Sequence, residues 1–431
     1  MRAVKVMLAC AVTALLNACS TPCDGPGRLC APVTSITSGT SSGTSIGTSG
    51  PQPEEAPPAV RVFAVESPDL QPGAGTGALP LGLPQPEFRI GLLLPLRSET
   101  LGQAADALRA GFMAGYERER DGFAVAVIDS GDSVEEGLAS YTLALDQNDI
   151  VVGPLARSAV NAVASSALVS KPTIALNHPG ERGADTALPP KLLVIGLSIE
   201  DEARQIAAWA AAEQPLARAL VLAASQPWQR RAGAAFAAQW ERSGRAAQKI
   251  QMSVLNGHLS DADLLQLRAR LQGEPGTLLF VALDAEQVRQ LRSALGNDTA
   301  IYGTSSLNPG TGPGAADPEL DGVRLLDLPW QVQRDHPAVM VYPRLLPGDP
   351  GQASGDMQRL YALGIDAFRV AREIALHPAS TFQLDGVTGR LAVSFGRGPA
   401  SFERTEQSAM YRDGALVALP GRRQDHVAAP P

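Results

Sequence analysis

Two serines near the N-terminus have the spacing of a hydrolase nucleophile. Residues 39–43 and 43–47 both fit the pattern G-x-S-x-G, in which the central serine attacks a carbonyl carbon. That chemistry requires a strand before the serine and a helix after it, because the sharp turn between them exposes the hydroxyl group. Both copies instead lie in a run of serine, threonine and glycine without apolar periodicity. We therefore do not expect Ser41 or Ser45 to be catalytic.

A cysteine at the end of a short apolar run offers a different chemistry, the lipidation of a thiol. Arg2 and Lys5 give the chain a basic start, and residues 6–16 are almost entirely apolar. This run is shorter than the roughly 20 residues that span a bilayer, but it has the features of an export signal. Residues 16–19, Leu-Asn-Ala-Cys, resemble a bacterial lipobox, at which the signal is removed and Cys19 becomes a lipidated N-terminus.

The lipobox resemblance implies an anchor and a location. Residues 1–18 form the signal peptide in this interpretation, and the lipid on Cys19 holds the mature chain in the membrane. In lipoproteins the residue after the cysteine biases sorting, and Ser20, rather than an aspartate, indicates the outer membrane, with the protein facing the periplasm. The alternative is an ordinary secretory signal in which Cys19 is incidental.

The other cysteines limit the possible disulfide and metal chemistry. Cys10 would leave with the signal, and only Cys23 and Cys30 follow Cys19. In an oxidising compartment Cys23 and Cys30 could form a disulfide that closes a small loop, or they could stay as free thiols. With five scattered histidines and no cysteine beyond residue 30, we expect neither a structural zinc site nor another cofactor.

The net charge excludes some classes of partner. Removing residues 1–18 takes away two of the 36 basic residues and none of the 44 acidic ones, which leaves a net charge near −10. A protein that binds nucleic acid would need a basic face, so we expect no nucleic-acid partner. The same charge argues against adhesion to anionic lipids, and contact with the outer membrane should therefore come from the lipid on Cys19.

Composition divides the mature chain into a tether, a folded region and a tail. Residues 19–86 are rich in serine, threonine, glycine and proline, and they lack the apolar periodicity that would offset the entropy of folding. We predict a disordered tether there, a folded domain over 87–420 and a flexible tail over 421–431. The residues that could hold a ligand are therefore expected in 87–420.

Apolar runs in the folded region alternate with amphipathic segments, which is typical of an α/β fold. The run FRIGLLLPL, followed by GQAADALRAGFMAGYERER, predicts a buried strand and then a helix. Several such pairs follow, and the pattern begins again after KLLVIGLS. Strands separated by helices of this length indicate parallel sheets covered by helices on both faces. We expect two lobes, the first about 87–198 plus part of 305–365, and the second about 199–304 plus part of 366–420.

Ligands of open α/β sheets bind beyond the carboxyl ends of the strands. Polar or aromatic residues at those positions form the candidate site: Ser98, Ser158, Asn177, Trp228, Asp284 and Ser305. Ser158 begins a predicted helix, whose N-terminus would attract an anion, although serine is also a common N-cap residue. Trp228 could form a wall of the cleft or take part in ordinary packing.

The segment SIEDEAR, which starts at residue 198, is predicted to cross from the first lobe to the second. Glu200, Asp201 and Glu202 fall in the first turn of a helix, where acidic side chains interact favourably with the helix dipole. Ser198 with Asp201 is close to a capping pattern. We therefore interpret these residues as a structural helix start. No nucleophile with its base and no set of metal ligands is evident elsewhere in the sequence.

Several stretches resemble known families. The two α/β lobes and residues 384–393, with their Gly-x-Thr-Gly-x-Leu pattern, are similar to the type 1 periplasmic binding proteins. The stretches RIGLLLPL, VVGPLARSAVNAV, IALNHP, LSIEDEAR, AIYGTSS and LDLPW are similar to the C-terminal domain of the penicillin-binding protein activator lipoproteins, over roughly residues 88–415. The resemblance implies a two-lobed fold and no catalysis. Such lipoproteins act from the outer membrane and stimulate peptidoglycan synthases, the penicillin-binding proteins, by binding them.

One departure from the family pattern and one alternative function stay open. The best-known members carry a helical-repeat domain before this region, whereas residues 20–86 show no helical period of about 30–45 residues. The protein could therefore engage a different partner or a smaller surface. The alternative is a solute-binding receptor of the same fold, for amino acids or peptidoglycan fragments. In amino-acid-binding relatives, a serine placed like Ser158 holds the ligand carboxylate. An enzyme is the least supported class.

Overall fold

The computed structural model describes residues 87–180, 187–310, 316–345 and 354–420. The lipobox with Cys19, the pair Cys23 and Cys30, and the tail over 421–431 lie outside these residues, so what the sequence predicts for them stays a prediction. The described chain folds into parallel sheets flanked by helices, which confirms the expected α/β fold class. None of the described helices is long and apolar enough to cross a membrane.

The first lobe is built on a five-stranded parallel sheet with the order β2-β1-β3-β4-β5. Its elements are β1 (Phe88–Leu94), α1 (Gly102–Arg118), β2 (Phe123–Asp129), α2 (Val134–Gln147), β3 (Ile150–Val152), α3 (Arg157–Ser165), β4 (Thr173–Ala175) and β5 (Leu192–Val194). Strand β1 pairs with β2 and β3, and residues 90–94 are buried because helices cover both faces of the sheet. Helix α1 packs on one face, and α2 and α3 pack on the other.

The second lobe is built on a seven-stranded mixed sheet with the order β17-β16-β12-β11-β10-β6-β7. Its first elements are α4 (Ile199–Glu213), β6 (Arg218–Ala223), α5 (Pro227–Arg242), β7 (Ala247–Gln251), the hairpin β8–β9 (Val254–Leu255 and His258–Leu259), α6 (Asp261–Gly273), β10 (Thr277–Ala282), α7 (Ala285–Leu295), β11 (Ile301–Gly303) and β12 (Arg324–Asp327). Helices α4 and α5 cover one face, where Phe236 stacks on Phe280 with ring centroids 4.1 Å apart. Helices α6 and α7 cover the opposite face.

After β12 the chain returns to the first lobe and then crosses back. The remaining elements are α8 (Pro329–Val332), α9 (Pro337–Met340), α10 (Gly355–Leu376), β13 (Ser380–Asp385), β14 (Arg390–Phe395), β15 (Ser401–Thr405), β16 (Gln407–Arg412) and β17 (Ala415–Ala418). Strands β13, β14 and β15 form a small antiparallel sheet, whose Leu391, Val393 and Phe395 lie in the core of the first lobe. Of the range 366–420, which the sequence divided between the lobes, only residues 407–418 join the second sheet.

Two glycines explain why α10 belongs to the first lobe. A Cβ atom on Gly364 would come within 2.1 Å of the Leu108 carbonyl oxygen, and one on Gly111 would come within 1.9 Å of a carbonyl oxygen of α10. Because neither position has room for a side chain, the backbones of α1 and α10 approach closely. Phe112 then meets Phe368 edge to face, with ring centroids 5.5 Å apart. This contact joins residues that are far apart in the sequence.

The Gly-x-Thr-Gly-x-Leu stretch forms the turn between β13 and β14. Asp366 of α10 accepts hydrogen bonds from the N–H of Val387 (3.1 Å), the N–H of Thr388 (2.8 Å) and the hydroxyl of Thr388 (2.7 Å). Gly389 has a φ of 135°, and a Cβ there would lie 2.4 Å from the carbonyl oxygen of Thr405. The pattern thus requires glycine for the turn and threonine for the bond to α10.

Candidate functional site

Three chain connections join the lobes and form the hinge. They lie between β5 and α4 (residues 195–198), between β12 and α8 (residue 328) and between β15 and β16 (residue 406). Charged side chains of the neighbouring elements surround these connections, and all of them are buried except Arg404, which is half-buried, although charged groups are rarely buried unless they are paired. We call this set the hinge cluster: Glu202, Asp327, Arg359, Arg404 and Glu406.

Arg359 of α10 pairs with Asp327 at the end of β12. Its Nε and Nη2 atoms donate to the two carboxylate oxygens of Asp327 at 3.0 and 2.8 Å. The side chain of Asp327 is 0% exposed and that of Arg359 is 7% exposed. Nη2 also donates to the carbonyl oxygens of Ser305 and Asn308, at 3.0 and 2.9 Å. This two-point pair satisfies both charges and ties an element of the first lobe to a strand of the second.

Glu202, in the first turn of α4, is buried rather than exposed to solvent. Its carboxylate accepts hydrogen bonds from the N–H of Ser305 at 2.8 Å and from the hydroxyl of Ser305 at 3.0 Å. Burial raises the pKa of Glu202 to about 7; the charge of Asp327 adds to the increase, and the bonds from Ser305 and the charge of Arg359 oppose it. This carboxyl group therefore exchanges its proton near neutral pH.

Glu406 forms the third connection itself. The residue is only 8% exposed. Burial, followed by the charge of Glu202, raises the pKa of Glu406 well above the usual value for a glutamate, and Arg404 opposes the increase. The guanidinium group of Arg404 donates to the carbonyl oxygens of Ile195 and Gly196 in the first connection, at 2.8 and 3.1 Å. The side chain of Arg404 therefore links the segment before the third connection to the first connection.

The hinge cluster can stiffen the hinge and make it respond to pH. Arg359 and Arg404 hold the connections through fixed carboxylate and backbone acceptors. Burial raises the pKa of Glu202 to about 7 and raises the pKa of Glu406 well above its usual value. Within the described ranges, no group of three or more His, Cys, Asp or Glu side chains could hold a metal ion. The arrangement thus places two proton-binding carboxyl groups beside the connections between the lobes.

Three of the site residues predicted from sequence have local structural contacts. The hydroxyl of Ser98 accepts a bond from the N–H of Leu101 at 3.1 Å. The side chain of Asn177 donates to a backbone carbonyl of the loop after β3 at 3.1 Å and accepts from the N–H of the next residue at 2.8 Å. Asp284 is the N-cap of α7, where it accepts a bond from the N–H of Gln287. These contacts give the three residues a structural role, and their part in binding a ligand stays a prediction.

Trp228 and Ser305 line one cavity of about 410 Å³ in the cleft, at the carboxyl ends of strands of the second sheet. Arg359 also lines this cavity, but its guanidinium group is already bonded to a carboxylate and to backbone oxygens. Ser158 does not line it; it is the exposed second residue of α3, whose N-cap is Ala156. The N-cap interpretation of Ser158 is therefore wrong, and its role in binding a ligand stays a prediction.

The hinge cluster was not predicted from the sequence. Ser198 is the N-cap of α4, as expected, and accepts a bond from the N–H of Asp201 at 3.1 Å. Glu202, however, does not simply complement the helix dipole, because the fold buries it against Ser305. One signal was present in the sequence: Asp327 is the only charged residue in the stretch LLDLPW, over 325–330. A lone charge in an apolar stretch indicates a buried and paired group.

We expect the free energy of unfolding to decrease as the pH rises from about 4.5 to about 7. The native state keeps a proton on Glu202 up to a pH of about 7, whereas an unfolded glutamate releases it near a pH of about 4.3. The native state therefore binds more protons in this window and loses stability as the pH rises. Glu406 contributes in the same direction. Glu202→Gln should make the decrease smaller, as measured by urea unfolding between pH 4.5 and 8.

Glu200→Gln is the matched control, two residues away in the same turn. Burial acts to raise the pKa of Glu200, but the hydrogen bond from Arg231 and its charge lower it below the usual value. The stability that Glu200 contributes is therefore lost only at acid pH, below about 4.5. The free energy of unfolding of the control should decrease between pH 4.5 and 7 as much as that of the wild type. If the free energy of unfolding of Glu202→Gln decreased with pH as steeply as that of the wild type, Glu202 would not be the source of the pH dependence.

Known proteins share this architecture. Penicillin-binding protein activator LpoA of Aliivibrio fischeri is 26% identical over 346 residues, which cover 73% of this chain and 55% of that protein. The chain thus spans about half the length of this curated relative. Full-length LpoA of Haemophilus influenzae matches with a TM-score of 0.60 at 23% identity, over 77% of this chain and 59% of that chain. At this level of identity the likeness shows the fold.

Two further structures and a family model complete the comparison. The LpoA C-domain of Haemophilus influenzae, named a regulator of PBP1A, matches with a TM-score of 0.60 at 22% identity, over 77% of this chain and 100% of that chain. A structure from Chromobacterium violaceum, assigned by its name to the branched-chain amino acid ABC transporters, has a TM-score of 0.60 at 34% identity, over 75% of this chain and 99% of that chain. Residues 81–414 match the family model described as "LppC putative lipoprotein". The chain belongs to the LppC lipoprotein family, which confirms the resemblance found in the sequence.

Proposed function

We propose that the protein is a lipid-anchored regulator that binds a penicillin-binding protein and activates peptidoglycan synthesis without catalysing a reaction itself. The observation that carries this proposal is the homology to LpoA, a protein named as a penicillin-binding protein activator. The C-domain that shares the present fold is named as a regulator of PBP1A. Because the family match covers residues 81–414, the two-lobed domain is where we place the binding surface.

The proposed location follows from the lipobox and from the family. Members of the LppC family are described as lipoproteins, and Leu-Asn-Ala-Cys at 16–19 supplies a site for the lipid. With Ser20 after the cysteine, we place the protein at the outer membrane, facing the periplasm. Residues 19–86 then serve as a tether of up to roughly 240 Å when fully extended, which would allow the domain to meet a synthase held in the inner membrane.

We propose binding rather than catalysis as the working mode of the domain, because the relatives are named as an activator and a regulator. The hinge cluster holds the connections through the ion pair of Arg359 with Asp327 and through the bonds of Arg404 to backbone oxygens. A regulator of this kind changes the rate of its partner by stabilising one conformation of the partner, which requires a difference in affinity between the two conformations. No reacting group of the domain is needed for this mode of action.

A specific observation favours a second candidate, a solute-binding receptor. The structure at 34% identity is assigned by its name to the branched-chain amino acid ABC transporters, and the match covers 99% of that chain. The cavity of about 410 Å³ beside Trp228 falls within the range of roughly 300–1,000 Å³ that is typical of small-molecule sites. Against this candidate, Arg359 at the cavity wall already pairs with Asp327 and is not available for a ligand carboxylate.

We expect free amino acids to bind weakly or not at all. The lining of the small cavity offers Trp228 and serine hydroxyls but no uncommitted arginine for a carboxylate. Isothermal titration calorimetry with the amino acids and with small peptidoglycan fragments should therefore give no dissociation constant at or below about 1 μM, the value that corresponds to about −8 kcal/mol. A tighter constant for any of them would favour the receptor function.

The proposed partner can be identified by affinity capture. Residues 87–420, used as bait on solubilised cell envelope, should enrich a penicillin-binding protein, which a fluorescent β-lactam labels directly. An excess of the untagged domain should abolish the enrichment, because it competes for the same surface. Enrichment of an inner-membrane permease, with no labelled penicillin-binding protein, would contradict the regulator function and support the receptor.

A further inference from the structure

Strand β2 forms one edge of the first sheet and carries none of the usual protection of an edge strand. Among the described residues, no strand pairs with its outer side, so its outward N–H and C=O groups can pair with another segment of chain. Residues 123–128, Phe-Ala-Val-Ala-Val-Ile, include no polar side chain, and Val127 is 41% exposed. Edge strands usually avoid such pairing with lysines, prolines or bulges, or they are covered.

The second sheet has an edge strand of the protected kind. Strand β7 lies at the end of that sheet, and its Gln248, Lys249 and Gln251 are exposed. A charged side chain such as lysine opposes the approach of a further strand. Strand β2 has the equivalent position in the first sheet but an apolar sequence, and this difference favours a further strand beside β2.

One run within the predicted tether has the sequence of a strand. The range 19–86 as a whole lacks apolar periodicity, but residues 60–65 read Val-Arg-Val-Phe-Ala-Val. Valine and phenylalanine are enriched in strands. Pro57 and Pro58 precede the run, and Ser67 and Pro68 follow it, and residues of these types commonly bound strands. The run is thus nearly as long and as apolar as β2.

The tether enters the domain beside the start of β2. The N–H groups of Glu87 and Phe88 donate to the carbonyl oxygen of Gly122 at 2.9 and 3.0 Å, and the ring of Phe88 stacks on that of Phe123 with centroids 5.5 Å apart. A strand outside β2 would lie about 10 Å from β1, because neighbouring strands are about 4.8 Å apart. The 22 residues over 66–87 have a typical span of about 26 Å as a flexible chain, which is more than this distance.

The same connection decides the direction of the added strand. If residues 60–65 run antiparallel to β2, their last residue lies at the end of the sheet where β1 begins. A parallel arrangement would place that residue at the opposite end of the sheet, and residues 66–87 would have to return along its whole length. An antiparallel edge strand on an otherwise parallel sheet is common in α/β folds.

We propose that residues 60–65 pair with β2 as an antiparallel sixth strand of the first sheet. Because the segment belongs to the same chain, its effective concentration at β2 is roughly millimolar, and a second copy or a partner strand would have to compete with it. The pairing limits the free tether to residues 19–59, whose fully extended reach is roughly 140 Å. The proposal concerns this chain alone, so its failure would leave the proposed function untouched.

Trypsin tests this pairing in the full-length protein in detergent, because Arg61 is the only basic residue between positions 29 and 88. Thr48→Arg adds a reference cleavage site elsewhere in the tether. A protease can cut a paired strand only after it opens, so the bond after Arg61 should be cut about tenfold more slowly than the bond after residue 48. Mass spectrometry of the fragments gives both rates.

The double variant Ala64→Pro with Val65→Pro should abolish this protection. Neighbouring N–H groups of a strand point to opposite sides, so one of the two prolines removes a donor to β2 in either register. Cleavage after Arg61 should then become about tenfold faster and approach the rate at the reference site. The matched control is Ala78→Pro with Leu79→Pro, which makes the same kind of change outside the run and should keep the protection.

Hydrogen exchange measures the other side of the contact. The amides of residues 124–128 that face outward should exchange about tenfold faster in the double variant than in the wild type, while those of β1 keep their protection. Equal cleavage rates after Arg61 in the wild type and the double variant would overturn the proposal. Protection of β2 that survives the double variant and falls on dilution would assign the edge to a second copy. Protection of Arg61 with no change at β2 would assign residues 60–65 to another surface.

Discussion

Replacing Cys19 with serine should release the protein from the membrane. The apolar run that ends at residue 16 is too short to span a bilayer, so we expect the lipid on the cysteine thiol to hold the protein at the membrane. A serine hydroxyl cannot form the thioether bond, and the Cys19→Ser variant should appear as soluble periplasmic protein or as uncleaved precursor. Fractionation of the envelope followed by immunoblotting measures this outcome, and the outer-membrane fraction should lose nearly all of the protein.

Cys23→Ser is the matched control for this experiment. Cys23 lies four residues further along the chain and is not in the lipobox, so the variant should stay in the outer-membrane fraction at the wild-type level. Metabolic labelling with a palmitate analogue should mark the wild type and the control but not Cys19→Ser. Retention of Cys19→Ser in the outer membrane at the wild-type level would contradict lipidation at this residue.

Arg359→Met should destabilise the domain by about 3–5 kcal/mol, the usual cost of removing one partner of a buried ion pair. The variant would leave the carboxylate of Asp327, which is 0% exposed, without its opposite charge. It would also remove the donors to the carbonyl oxygens of Ser305 and Asn308. Methionine retains much of the apolar volume of the arginine side chain. The loss of stability should therefore come from the missing charge and hydrogen bonds rather than from a cavity. Urea unfolding at pH 7 gives the difference in the free energy of unfolding.

Arg289→Met provides the comparison with a more exposed pair. Arg289 and Asp317 are 27% and 18% exposed, and the loss of such a pair should cost about 1 kcal/mol or less. Adding Asp327→Leu to Arg359→Met should recover part of the stability, because apolar residues can replace a buried pair of charges. If Arg359→Met cost no more than Arg289→Met, the hinge cluster would not be a principal source of stability.

Local patterns in the sequence were sufficient to predict the fold class. Strand β1 is apolar at successive positions because helices cover both faces of its sheet, and that pattern is visible without any knowledge of the partner strands. The start of α4 at Ser198 was also predictable from nearby residues, because the Ser198 hydroxyl accepts a bond from a backbone N–H only three residues away. The path of α10 was not predictable in this way, because the contact of Gly364 with α1 depends on residues that are distant in the sequence.

The site was predictable only in part, for the same reason. Trp228 and Ser305 follow strands of one sheet, so topology alone suggested that they approach one another, and they line one cavity. Glu202 looked like an ordinary acid of a first helical turn, and only Ser305, which is 103 positions away, makes it a buried acceptor. The raised pKa of Glu406 comes from its burial and then from the charge of Glu202. The residues of the hinge cluster lie beside three separate chain connections. Their spacing in a single sequence therefore gives no sign that they are neighbours in the fold.

A reconstituted assay can show whether this protein regulates a synthase by binding it. The rates of glycan polymerisation and cross-linking by a purified penicillin-binding protein of the same cell envelope would be measured as the concentration of this protein is increased. We expect at least one rate to rise severalfold and to saturate, while the protein alone produces no peptidoglycan. Unchanged rates at saturating concentrations, for every penicillin-binding protein of that envelope, would contradict it.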